Sequence, residues 1–231
     1  MSSYIGESAA LVTALFWTIT ALSFEAAGNK VGSLAVNLWR LVIAFLLFCA
    51  YSLIFRGTLL PMDAPDHVWI WLTASGLVGF VIGDLFLFEA FVLIGARIAM
   101  LIYSLVPPLT ALISYFVLGE LLSGVQWMGM VLTVTGISVV VLQRNAPARR
   151  AARHPLLGIG AAFLGALGQA VGLVLSRYGA PRYDAFQATQ IRAIAGIIGF
   201  ALFFTLVRRW RAVVEALGRR GAMRQKAVGA F

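Results

Sequence analysis

Two carboxylates stand deep inside long apolar runs, Asp84 and Glu89. A carboxylate within bilayer hydrocarbon costs at least a few kcal/mol unless it faces a cavity or a partner. The chemistry open to such a group is binding a proton or a cationic solute. The plainer alternative is structural, as a partner for Arg40 or as a helix-end acid near water. Asp84 lies deeper in its run than Glu89. Five residues apart on a helix, the two point about 140° from each other. They are not expected to form a paired-acid site.

Other polar side chains fall at helical spacing. Thr13, Trp17 and Thr20 share one face of the first apolar run. Gly165, Gln169 and Gly172 hold the equivalent positions in a later run, so Trp17 and Gln169 are candidate walls of a solute cavity. The alternative is helix packing. Gly168 and Gly172 form a small-residue step suited to close approach, and Ser75, Gly79 and Gly83 read as packing in the same way. Pro107 and Pro108 lie mid-run. Each lacks a helical N–H, which frees carbonyls near Tyr103 and Ser104 and predicts a kink. That kink either shapes a solute path or fits neighbouring helices. Tyr103 is a candidate donor to the solute. Arg40 and Arg192 are candidate anion anchors, or long side chains that snorkel from near a span end. Asn37, Gln187 and Gln190 are expected to meet interfacial water. Gly119 and Ser123 read as a helix stop and a helix start, with Glu120 in the turn between them.

The elements that must hold these residues follow from composition. Of 231 residues, 61% are hydrophobic and 12% charged, and mean hydropathy is +0.93. A soluble fold of this length could not bury so much apolar surface. Seven runs reach the roughly 20 residues needed to span a bilayer as helix: 8–27, 34–55, 68–91, 98–118, 125–142, 155–176 and 185–207. Backbone in lipid must satisfy itself, and no alternating barrel pattern is present. The fold class is therefore all-α and integral to the membrane. The first run lacks the basic flank and cleavage site of a secretory leader, so it reads as a retained span.

Net charge is +9, concentrated at Arg144, Arg149, Arg150 and Arg153 and again from Arg208 to Lys226. Such clusters beside apolar spans read as cytoplasmic anchors on anionic lipid rather than as nucleic-acid contacts. Counted by this bias, the odd-numbered loops face the cytoplasm and the N-terminus lies outside. The single cysteine, Cys49, excludes an internal disulfide and a cysteine zinc site. No lysine lies inside a span, so no retinal Schiff base could form. No P-loop, G-x-S-x-G or H-E-x-x-H motif occurs. An enzyme is not expected, nor a metal or cofactor.

Advancing the chain by 152 positions sets Ala9, Ala10, Ala14 and Leu15 on Ala161, Ala162, Ala166 and Leu167. It also sets Arg40 on Arg192, Phe48 on Phe200 and Arg56 on Arg208. Matches of arginine are the informative ones in so apolar a chain. Five spans precede the second copy, so that copy enters the membrane from the opposite side, as in inverted-repeat transporters. The organisation expected is a first repeat over 1–143, a basic linker over 144–154 and an incomplete second repeat over 155–231. In this register Phe231 meets Gly79, just inside span three. The expectation is a chain cut at the start of an eighth span of ten. The alternative is a seven-helix protein with an amphipathic basic tail.

The stretch 95–142 resembles the EamA-like branch of the drug/metabolite transporter superfamily. Its small-residue run, the mid-span prolines, Gly119-Glu120 and a glycine-bearing fifth span carry the resemblance, with Arg40 and its echo Arg192. The resemblance implies ten helices as an inverted-repeat bundle, of which seven are present, with a central cavity and alternating access. It also implies an N-terminus inside, against the charge count. The function it implies is carriage of a small organic metabolite or drug across the inner membrane of a bacterium or archaeon. The expected site residues are Trp17, Asp84, Glu89, Tyr103 and Gln169, with the kink at Pro107 and Pro108. Partners expected are the solute and membrane lipid, with a homodimer as a candidate assembly and no nucleic acid. The competing functions are a non-transporting subunit that needs a partner chain and a flippase for lipid-linked substrates.

Overall fold

The computed structural model describes residues 3–142, 155–208 and 210. Helices α1 (Ser3–Val31), α2 (Ser33–Arg56) and α3 (Asp66–Gly76) come first. A π-helical segment, Leu77–Gly83, joins α3 to α4 (Asp84–Ile94). Then follow α5 (Ala96–Tyr103), α6 (Val106–Leu118), α7 (Gly124–Leu142), α8 (Pro155–Gly179) and α9 (Ala185–Val207). They make seven spans among the described residues, because α3, the π segment and α4 form one, as do α5 and α6. The protein is thus an all-helical, multi-pass membrane protein. The basic linker and the expected start of an eighth span lie outside the described residues.

Helix ends follow the local chemistry. Gly57 and Gly119 take left-handed conformations after α2 and α6, φ 70° and 67°, which cost glycine nothing. Ser123 and Gln126 cap α7 reciprocally. The Ser123 N–H donates to Gln126 Oε1 at 2.7 Å, and the Gln126 N–H to Ser123 Oγ at 3.3 Å. Asp184 caps α9, accepting the N–H groups of Phe186 and Gln187, each at 3.0 Å. Pro107 and Pro108 fall in the first turn of α6, directly after the break at Ser104 and Leu105. A missing N–H is harmless in a first turn.

Helix α8 is the hub, packed against α3, the π segment, α4, α5 and α6. Its seam with span three is lined by glycine on both sides. A Cβ on Gly168 would lie 2.8 Å from Gly83 Cα, and one on Gly172 would lie 3.0 Å from Gly79 Cα. Ser75 Oγ donates to the Gly172 carbonyl at 2.6 Å across the same seam. Apolar side chains gain little by meeting each other in lipid, so close backbone approach and such hydrogen bonds hold membrane helices together. Helix α9 packs on α2, α3 and the π segment, with Phe200 and Phe204 against Leu38 and Leu41. Outward faces carry large apolar side chains, among them Leu15, Leu47, Leu132 and Leu206, where the bilayer is the natural solvent.

The starts of α1 and α8, at Ser3 and Pro155, stand in the same 152-position register as the starts of α2 and α9, at Ser33 and Ala185.

Candidate functional site: an intramembrane arginine–aspartate cluster

The site begins with Arg40 and Arg192. Each stands roughly two turns past the start of its helix, α2 or α9, or about 10 Å along the axis. Neither snorkels, contrary to one reading of the sequence. Arg40 forms an ion pair with Asp84. Arg192 is 7% exposed and sits over the Phe80 ring, 4.5 Å from its centroid. Arg40 lies 6.0 Å from the same centroid and 5.4 Å from that of Phe88. Phe80 thus presents a ring to both cations, an attraction that strengthens where water is excluded.

The π segment sets this arrangement. The Asp84 N–H donates to the Gly79 carbonyl, five residues back. A π turn inserts an extra residue, so the face carrying Asp84 and Phe88 is displaced from α periodicity. The inserted turn coincides with Gly79 and Gly83, where α8 comes closest. Gly76 fixes the other side. A Cβ there would lie 2.5 Å from the carbonyl oxygen of Arg192. The backbone that carries Arg192 therefore rests directly on the backbone of span three.

Gln169 joins the cluster from α8. A Cβ at Gly79 would lie 3.1 Å from Arg192 Nη2 and 3.2 Å from Gln169 Oε1, so both polar groups pack closely against the bare face of this glycine. Tyr103 is within electrostatic reach of Asp84, Arg40 and Arg192, and its ring lies 6.4 Å from that of Trp17. Four of the five residues singled out in the sequence therefore lie in or beside one cluster. Glu89 does not. It is exposed on α4, where Ser33 Oγ donates to it at 3.2 Å.

Several polar atoms here have no hydrogen-bond partner among the described residues: Arg192 Nε and Nη2, Arg40 Nε, Gln169 Oε1, and both amide atoms of Asn37. Buried polar groups are normally satisfied. Ser52, Thr110 and Tyr183 elsewhere also have an unpartnered hydroxyl, but among the described residues only the cluster leaves buried charged donors without partners.

The chain belongs to the EamA-like transporter family. The sequence profile of that family matches residues 4–142, a segment that holds α1 to α7 and hence Arg40, Phe80, Asp84 and Tyr103. A search of curated proteins found no match. Members of the family are membrane transporters.

Some polar and aromatic residues of this EamA-like transporter sit where their sequence pattern does not place them. Asn37 and Gln190 were expected at the interface but are 0% and 1% exposed. Gln190 is held inside, with Nε2 donating to the Leu59 carbonyl at 2.7 Å and to Cys49 Sγ at 3.3 Å. A loop carbonyl, invisible to periodicity, draws it in. Glu25 also went unnoticed. It accepts the Ala96 N–H at 3.0 Å and so caps α5. An acid near a span end looks wet in sequence, and nothing marked α5 as its target. Phe80 and Phe88 carried no signal among sixteen phenylalanines.

A second concavity lies elsewhere. An apolar cleft of about 400 Å³ opens between α6, α7 and α8, lined by Leu105, Pro108, Leu112, Trp127, Val131 and Phe163. It contains none of the charged residues and suits lipid tails better than a polar solute.

Proposed function

We propose that this membrane transporter carries a small organic metabolite or drug by alternating access, with the Arg40–Asp84–Arg192 cluster as its central solute site. The observation behind this reading is the cluster itself: three ionisable side chains, two of them on helices that share one repeat register, around a single aromatic ring. Charges inside a membrane are expensive, and they mark solute or ion pathways. Alternating access rests on the 152-position repeat, whose helices α1, α2, α8 and α9 start in register. In an inverted repeat the solute sits where the two copies meet, and Arg40 and Arg192 come from different copies. A bacterial or archaeal inner membrane is the proposed location, with solute and lipid as the partners. The homodimer remains a proposal for crosslinking to test.

The test is reconstitution of the full chain into proteoliposomes, followed by counterflow of labelled amino acids, organic acids and amines. Exchange above that of empty liposomes, reduced by changes at Arg40 or Asp84, is the expected result. Exchange equal to empty liposomes for every solute would overturn the proposal.

A further inference from the structure

We infer that the solute carries a carboxylate, and that the side-on fork of Arg192 is its anchor. The inference rests on the transport reading above and names the chemical class of its substrate.

Three observations carry it. The first is charge. The cluster holds two guanidinium groups and one carboxylate. Asp84 is engaged by Arg40, so among the described residues Arg192 has no anion within ion-pair distance. Burying an uncompensated cation is costly, and a ligand of opposite sign removes that cost. The second is geometry. The two unpartnered donors of Arg192 are Nε and Nη2, which project in parallel from one edge of the guanidinium plane. That edge matches the two oxygens of a carboxylate, the strongest pairing arginine makes. The third is a second unpartnered polar group. Gln169 Oε1 has no hydrogen-bond partner among the described residues and lies beside Gly79 together with Arg192 Nη2, and its side-chain amide turns over to present N–H donors as readily as its oxygen.

The rest of the solute is apolar or aromatic in character. Phe80 lies on one side of the fork, and Tyr103 with Trp17 forms an aromatic pair beside the cluster. Arg40 is not the anchor, because Asp84 already holds it. Asp84 keeps the site at one net positive charge, which selects a monoanion over a dianion.

The experiment measures binding apart from transport. The full chain is placed in phosphatidylcholine nanodiscs, which offer no anionic headgroup to compete. It is titrated with acetate, pyruvate, benzoate and phenylpyruvate, each beside its uncharged amide, while tryptophan fluorescence and thermal unfolding are followed. Carboxylates should bind and raise the unfolding temperature, and their amides should not. Arg192→Lys keeps the charge but loses the fork, and should weaken carboxylate binding about tenfold or more. Gln169→Leu leaves Arg192 in place and removes the amide beside it. It should weaken binding while the unliganded protein unfolds at the same or a higher temperature, because a buried unpartnered oxygen is lost, which guards against misfolding of the arginine variant. Equal binding of acids and amides, or carboxylate binding indifferent to both substitutions, would overturn the inference. Counterflow separates the two proposals. Exchange of neutral solutes that ignores Arg192 leaves the transporter reading standing and removes this one. Arg192-dependent binding without exchange of any solute does the reverse.

Discussion

Arg40 and Arg192 hold the same register position in two halves of the chain, on helices that start in step. Both turn inward to the same phenylalanine ring. Only Arg40 has a carboxylate. Its neighbour α4 supplies Asp84, whereas the surfaces around Arg192 supply a glycine, an amide and an aromatic face. Equal sequence positions have therefore become an ion-paired cation, with Nε still unpartnered, and a cation with no carboxylate within ion-pair distance. One is built to hold the helices, the other to accept something.

The sharpest way to break this comparison is to neutralise each arginine in turn. Arg40→Gln leaves Asp84 buried without a partner and should cost about 3–5 kcal/mol. Asp84→Asn should cost a similar amount, since it leaves two cations and no anion. In proton-linked flux it should also abolish or uncouple transport. Arg192→Gln removes an uncompensated charge, and unfolding in detergent should show it neutral or stabilising. Equal losses from Arg40→Gln and Arg192→Gln would show that the two arginines play one role.

Backbone support comes next in size. Gly76→Ala drives a methyl into the carbonyl of Arg192. Overpacking of this kind costs about 1–3 kcal/mol, seen as a lower thermal midpoint. It should also shift the Arg192 fork and weaken carboxylate binding. Gly124, with nothing near its ideal Cβ, serves as the control position.

Smaller effects are expected where the same chemistry meets water. Arg177 pairs with Glu120 at 2.7 Å, but the side chains are 65% and 33% exposed. Glu120→Gln should cost at most about 0.2–1 kcal/mol, less in high salt. A loss as large as that of Arg40→Gln would deny burial the role assigned to it here.

The smallest effect is one of pH. Burial alone would raise the Asp184 carboxyl. The Gln187 N–H and the Arg56 guanidinium outweigh it and hold the carboxyl below the ordinary carboxylate range. A depressed value means stability that is present above the ordinary carboxylate pKa and fades as pH falls through the folded one. Thermal unfolding should therefore weaken below about pH 4, and Asp184→Asn should lessen that slope slightly.

How much of this was legible in the sequence varies by residue. The apolar runs located every described span. The prolines located the break in span four, because a residue without an N–H belongs in a first turn. The glycines at 79, 83, 168 and 172 announced close packing but not each other. That Gly83 meets Gly168 follows from how two distant helices dock, and no local pattern encodes it. The 152-position register that sets Trp17 on Gln169 and Arg40 on Arg192 is read from the sequence alone, and the helix starts at 3 and 155 and at 33 and 185 keep the same spacing. The fate of Asn37 and Gln190 was not readable, because burial in a polar pocket and exposure at an interface look alike along the chain.

The sequence by itself determined that this is a helical membrane protein of the EamA-like kind, because lipid admits only self-satisfied backbone and twenty apolar residues can satisfy it only as helix. It also singled out Asp84 and the two arginines, Arg40 and Arg192, as ionisable residues within apolar runs. The tertiary structure alone decided which of them pair. An extra π turn rotates Asp84 toward Arg40, and the glycine seam brings α8 and its Gln169 against span three. Arg192 is left with its fork free. Such choices depend on distances between segments far apart in the chain, and those distances exist only once the helices have packed.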